Sequence, residues 1–305
     1  MPEYKGTLEE KDWQNLLRSI KKGRCTPFIG AGACFGSLPL GRDIARDWAK
    51  KYGYPLADSE DLARVAQFMA IDQYAMFPKE CIRDDFQNIK PPDFSQSDEP
   101  HGLLADLNLP IYITTNYDNF MVNALRNRKK APEREFCRWN RLDEVLDIKS
   151  VLDSSSSYKP TPDTPLVYHL HGHIEIPQSI VLTESDYLDF LIRLQHHDDD
   201  PLLPPEIISA LTANPLLFLG YSLSDWNFRV LFRGLLSSLS NLGYFTVAVQ
   251  LPPDDLTGEE LKRALNYLDQ YYANIQHIKV RVYWGNAQQF AKELRERWET
   301  FKDAK

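Results

Sequence analysis

Short apolar runs alternate along the chain with longer stretches in which apolar side chains recur at helical spacing. That alternation reads as strand followed by helix, repeated, and predicts a mostly parallel sheet. Strands are predicted at 26–29, 111–114, 166–170, 180–183, 216–219, 244–250 and 278–284. Helices are predicted at 8–22, where Leu8, Trp13, Leu16, Leu17 and Ile20 fall near one face, and at 41–52, 58–89, 101–107 and 118–128. Further helices are expected at 184–194, 205–213, 224–239, 256–272 and 286–302. Pro91-Pro92 breaks the chain. The stretch 129–164 is less regular, and Ser154–Ser157 followed by Pro160, Pro162 and Pro165 marks a loop or flap. The expectation is an α/β, Rossmann-like fold with helices on both faces of the sheet and a helical insertion. A single domain over 1–305 is expected, with insertions at 54–95 and 128–164.

Composition narrows the function without naming it. The 305 residues carry 35 basic and 43 acidic side chains, a formal charge of −8, which argues against a general nucleic-acid binder. A chain this long buries a sizeable core without disulfides or metal. Cys25, Cys34, Cys81 and Cys137 form no C-x-x-C pair, so neither a zinc ribbon nor a thioredoxin-type redox site is indicated, and unpatterned thiols suit a reducing cytoplasm. The polar start MPEYKGTLEEKDW is no signal peptide, and runs such as Leu216–Leu219 are far too short to span a membrane.

Ligands of open parallel sheets bind at the carboxyl ends of the strands, so the chemistry is sought there. After the first strand comes Gly30-Ala31-Gly32-Ala33, which fits either a tight strand–helix turn or a phosphate loop; it is not a full G-x-G-x-x-G. After the second comes Thr114-Thr115-Asn116-Tyr117-Asp118, whose Asn and Asp are functional or simple helix caps. After the third, His169, His171 and His173 could line one face by alternation, either as metal ligands or with one His as general base. After the fourth, Gly220-Tyr221-Ser222-Leu223-Ser224-Asp225 suits ribose and phosphate contacts as well as a helix cap. Its spacing is not that of a hydrolase nucleophile elbow.

Taken in order, G-A-G, T-x-N-Y-D, H-G and G-Y-S-x-x-D resemble the sirtuin-like superfamily over roughly residues 25–230, and more narrowly the NAD-consuming domains of bacterial anti-phage defence systems. The resemblance assigns the pyrophosphate turn to Gly30, Ala31, Gly32 and Ala33. It assigns ribose and water positioning to Asn116, the nicotinamide side to Asp118 and the catalytic base to His171. Gly220 and Ser222, with Asp225 beside them, fall on the adenosine side. Sirtuin deacylases also carry a four-Cys zinc module and a Gly-Ile-Pro-Asp-Phe-Arg segment; here the first is missing and the second reads Gly36-Ser37-Leu38-Pro39-Leu40-Gly41-Arg42. The usual Ser of the turn is Cys34, and the usual Gln before the Asn is Thr115.

The resemblance without the zinc module implies hydrolysis of NAD+ to ADP-ribose and nicotinamide, with NAD+ as substrate and no metal. A non-enzymatic NAD or ADP-ribose sensor is the main alternative; a protein deacylase and a metal hydrolase using the three His are weaker ones. Similar domains are switched on by an associated ATPase, an Argonaute-like protein, a phage component or self-assembly, so a homo-oligomer or an activating partner is expected, without direct nucleic-acid or membrane contact. The Arg126-Asn127-Arg128-Lys129-Lys130 run reads as a partner contact or as a solvated helix end. The stretches 58–89 and 151–164 are candidate lids over the pocket.

Overall fold

The computed structural model describes residues 8–142, 145, 147–153, 155–195, 201–221, 245–253, 256–273 and 279–303. In chain order the elements are α1 (Glu10–Lys21), β1 (Thr26–Ile29), α2 (Gly41–Tyr52), α3 (Leu62–Asp72), α4 (Phe77–Phe86), α5 (Pro100–Asp106), β2 (Ile111–Thr114), α6 (Phe120–Asn127), β3 (Glu133–Phe136), β4 (Leu166–His169), α7 (Glu184–Gln195), α8 (Pro205–Thr212), β5 (Leu216–Leu219), β6 (Phe245–Gln250), α9 (Gly258–Ala273), β7 (Lys279–Trp284) and α10 (Ala287–Lys302). A short 3₁₀ turn, Ala31–Cys34, follows β1.

The strands form one seven-stranded sheet in the order β3-β4-β2-β1-β5-β6-β7, every pair parallel. The central strands are buried and mostly apolar because both faces are covered. Along β1, Phe28 faces the layer with Phe190 of α7, Ile207 of α8 and Leu265 of α9. The next residue, Ile29, faces the opposite layer, with Leu16 of α1, Leu104 of α5, Leu125 of α6 and Phe290 of α10. β1 pairs with β2 on one side and β5 on the other, so the chain reverses its direction of travel across the sheet between β1 and β5. That reversal opens a crevice at the strands' carboxyl ends, where α/β proteins bind ligands.

Three expected elements differ. The helical stretch 58–89 is two helices, α3 and α4, because Pro78, which lacks an N–H, is tolerated only in a first turn. The irregular stretch 128–164 contains β3, an edge strand whose sequence, Glu-Arg-Glu-Phe, carries no apolar run. Conversely 180–183 is no strand: Ile180, Val181 and Leu182 are buried, but their N–H groups bond Pro177 O (3.1 Å), His171 O (2.9 Å) and the Asp186 carboxylate (3.0 Å). The helix expected at 224–239 lies outside the described residues. Helices α2, α3 and α4 form a separate small core with Ile180 and Leu182, against which Tyr117 of the β2 loop packs. The basic run after α6 serves the fold: Arg128 bonds Asp106 and Phe94 O, and Lys130 Nζ donates to Leu107 O at 3.1 Å. Among the described residues no helix is long and apolar enough to cross a membrane.

Candidate functional site

The loops after β1, β2, β4 and β5 meet at the crevice. Gly30 N donates to Leu219 O and Gly32 N to Gly220 O, both at 2.9 Å. A Cβ at Gly30 would lie 2.8 Å from Gly220 O and 2.9 Å from the Tyr221 ring; one at Gly32 would lie 3.0 Å from Gly220 Cα. Gly220 itself has φ +81°. The glycines on both sides therefore let two loops pack backbone to backbone across the switch point. The tight-turn reading accounts for them without a phosphate. Tyr221 closes this side, its hydroxyl bonding the Thr115 hydroxyl and donating to Ile29 O at 3.2 Å. Beside the turn lies an open cleft lined by Ala33, Phe35, Ser37, Asp98 and Glu99. Ser222 and Asp225 lie outside the described residues.

Asn116 is held from several directions. Its N–H donates to Thr114 Oγ1 at 3.0 Å, and its carbonyl accepts from His169 Nδ1 at 2.9 Å. Its Nδ2 donates to Gly30 O and to Cys34 Sγ, each at 3.2 Å. Among the described residues nothing donates to its Oδ1. A half-buried carboxamide with both amide hydrogens engaged presents one acceptor to an incoming hydroxyl or water. Asp118 is buried; its Oδ1 accepts from Phe120 N, the first N–H of α6, at 2.7 Å, and its Oδ2 accepts from Cys34 Sγ at 3.5 Å. Both the functional and the capping readings of this residue fit. Burial, and then the Asp118 carboxylate, push the Cys34 thiol well above its usual range.

The three His do not line one face. β4 ends at His169, and Gly172 turns the chain at φ +85°, where a Cβ would strike Ser179 O at 2.1 Å. His169 is tied to Asn116. His173 Nδ1 accepts from Glu175 N at 3.1 Å, so its Nε2 donates to Asn119 Oδ1 at 2.8 Å. Arg134 NH1 donates to the same Asn119 oxygen at 3.0 Å and its NH2 pairs with Glu175 at 2.7 Å, which fixes the loop after β4. His171 lies against Tyr187 and Phe190, with ring centroids 5.4 and 5.2 Å away, and its buried Nε2 has no partner among the described residues. Desolvation lowers its pKa to about 3, and that of His169 to about 4, so both are neutral imidazoles. This departs from a base poised at neutral pH. No group of three or more His, Cys, Asp or Glu among the described residues is placed to hold a metal ion.

The structure thus brings Asn116, Asp118 and the Gly30–Cys34 turn into hydrogen-bond contact, while His171 stands after the neighbouring strand and bonds none of them. The two loops are nonetheless stitched together, through Leu170 N to Thr114 O (2.7 Å), Ile174 N to Tyr117 O (3.0 Å) and Tyr117 Oη to Val181 O (2.7 Å). Sequence reasoning missed Glu99 and His101 at the start of α5, both buried, His101 meeting Cys34 and Glu99 holding His101. A Glu-Pro-His triplet opening an apolar helix was the one available signal.

Comparison with known proteins adds to this geometry. Over 70% of its length the chain is 27% identical to NAD(+) hydrolase ThsA of Enterococcus faecium, and 26% identical to NAD(+) hydrolase ThsA of Bacillus cereus (strain MSX-D12), covering 40% of each. It is 23% identical over 72% of its length to Defense-associated sirtuin 2 of Bacillus subtilis, of which it covers 20%. The chain therefore spans two fifths or less of the length of these relatives. A family model described as a SIR2-like domain matches residues 110–275. That span exceeds half of the chain and includes the loops of Asn116, Asp118 and His171, so the chain belongs to the SIR2-like domain family.

Proposed function

We propose that this protein is an NAD+ hydrolase that cleaves the nicotinamide–ribose bond, yielding ADP-ribose and nicotinamide, and that it depletes NAD+ in anti-phage defence. The observation that carries the reading is Asn116, whose carboxamide is locked by Gly30 O and Cys34 Sγ with Oδ1 left to accept. The names of the relatives and the family membership support it. As nicotinamide leaves as a neutral group, positive charge develops on the ribose. Asn116 Oδ1 orients a ribose hydroxyl or the attacking water; water adds at the anomeric carbon, and His171 Nε2 accepts its proton. Gly30–Ala33 lies on the pyrophosphate side, Asp118 on the carboxamide side, and Gly220, Ser222 and Asp225 on the adenosine side.

The enclosed, neutral His171 has a consequence for regulation. In the described arrangement it is a poor base, so turnover requires that Tyr187 and Phe190 yield to the substrate or to an activating event. Self-assembly or an associated partner protein in the cytoplasm is the trigger in this reading, with 1–305 acting as one unit and 54–95 and 128–164 as its insertions. The same enclosure is the observation that favours the alternative, a sensor that binds NAD+ without cleaving it. The test is chromatographic NAD+ turnover by the full chain, with and without neighbouring gene products, for wild type, Asn116→Ala and His171→Ala. Each variant is expected to lose about 100-fold or more. Normal turnover in both overturns the assignment, and tight binding without turnover under every condition selects the sensor.

A further inference from the structure

Behind Asn116 runs a buried chain of polar groups, Cys34, His101 and Glu99, that the proposed reaction does not use. Cys34 Sγ receives Asn116 Nδ2 at 3.2 Å, and two acceptors compete for its single proton: Asp118 Oδ2 at 3.5 Å and His101 Nε2 at 3.9 Å. His101 is 1% exposed and Glu99 7%. His101 Nδ1 donates to Glu99 Oε1 at 2.8 Å, and the same carboxylate accepts the N–H groups of His101 and Gly102. A ring nitrogen that donates to a carboxylate fixes the tautomer, so His101 Nε2 carries a lone pair toward the thiol. The ring itself stands edge-on to Phe120, with centroids 5.8 Å apart, and cannot turn away freely.

A thiol is a weak donor and a weak acceptor that rotates freely unless its proton is directed. With Asp118 and His101 both supplying lone pairs on one side, the proton points to them and the sulfur's own lone pair turns to Asn116 Nδ2. That leaves Asn116 with its amide hydrogens inward and Oδ1 outward, the orientation the reaction needs. We propose that His101, held in one tautomer by Glu99, is a positioning residue that sets the rotamer of Asn116 through Cys34. The proposal rests on the hydrolase reading for its catalytic consequence and on the geometry alone for the rotamer.

Two measurements separate these. The first follows hydrogen exchange of the Asn116 side-chain amide by NMR on protein labelled with ¹⁵N at asparagine, the resonance being assigned by its loss in Asn116→Ala. Exchange is expected to accelerate about tenfold in Cys34→Ala and in His101→Phe and to return in Cys34→Ser, which keeps a donor and an acceptor. The second follows steady-state turnover. kcat is expected to fall about tenfold in the same variants with KM within about threefold, and Cys34→Ala/His101→Phe is expected to be no worse than either single change. Should His101→Phe fail to fold, Glu99→Gln serves in its place. Unchanged amide exchange in Cys34→Ala and His101→Phe, or additive losses in the double variant, overturns the proposal. Faster exchange in a protein with no NAD+ turnover either alone or with the neighbouring gene products leaves the rotamer assignment standing and overturns the hydrolase reading instead.

Discussion

Replacing Gly220 by alanine separates backbone strain from loop packing at the switch point. Its φ of +81° costs an L-residue about 1–2 kcal/mol. A Cβ there would also meet Ala33 N at 2.3 Å and Gly30 O at 2.6 Å, both main-chain atoms that cannot swing aside. Relief requires the two loops to part, which breaks Gly32 N–H to Gly220 O and strains Gly30 N–H to Leu219 O, both 2.9 Å. At about 1 kcal/mol for each bond the total is about 3–4 kcal/mol, a large share of the about 5–15 kcal/mol that holds a typical domain together. Two controls dissect the sum. Gly36 has φ +90° but open space around it, so Gly36→Ala carries the conformational cost alone, about 1–2 kcal/mol. Gly32→Ala carries the contact alone, Gly220 Cα at 3.0 Å, and costs about 1 kcal/mol. Urea unfolding followed by tryptophan fluorescence reads all three, with equal m-values as the condition for comparison. If Gly220→Ala were no more destabilising than Gly36→Ala, the backbone packing of the two loops would not be what the glycines serve.

Three further outcomes concern a buried ion pair, an exposed one and the buried histidines. Lys79 Nζ and Asp186 Oδ1 pair at 2.9 Å with side chains 7% and 13% exposed, so Lys79→Ala strands a buried carboxylate and costs about 3 kcal/mol in urea unfolding. Arg64→Ala, on an exposed side chain that meets Asp58, Asp61 and Glu184, costs less than about 1 kcal/mol in the same assay. His169 and His171 have pKa values lowered by desolvation to about 4 and about 3, from 6.5. The unfolded chain therefore binds more protons below pH 6.5, and stability present above that pH is lost as the pH falls toward 4. Each His contributes a slope of about 1.4 kcal/mol per pH unit in that window. Urea midpoints measured between pH 7 and 5 should fall accordingly, and His171→Phe should flatten the decline; a decline unchanged by that substitution refutes the desolvation account.

The strand and helix pattern was largely legible because local periodicity reports local burial. β1, β2, β5 and the helices α2, α8 and α10 stand within a residue or two of where the apolar spacing puts them. β3 was hidden because its middle Glu135 is buried without being apolar: its carboxylate is satisfied by Arg138 at 2.6 Å and by Val151 N at 3.0 Å, contacts that form only after the following loop folds back. The run at 180–183 misled for the opposite reason. It is apolar because it is walled in by α2, α3 and α7, not because it pairs with a neighbour.

What the sequence determined by itself is the alternation of elements, the parallel sheet, and the order of the strand-end motifs that carry the family resemblance. What only the tertiary structure decided is which of those side chains meet. The alternation rule that would align His169, His171 and His173 fails because the strand ends at His169 and the chain turns from Leu170 through Gly172: the His169 and His173 rings meet with centroids 4.6 Å apart, while His171 lies against Tyr187 and Phe190. Cys34, Glu99, His101, Asn116 and Asp118 come from three separate segments, and their contact follows from the strand order, which places the loop after β1 beside the loop after β2 and under α5. Periodicity encodes which face of an element is buried. It does not encode which buried polar groups from distant elements must satisfy one another, and that pairing is what shapes the site.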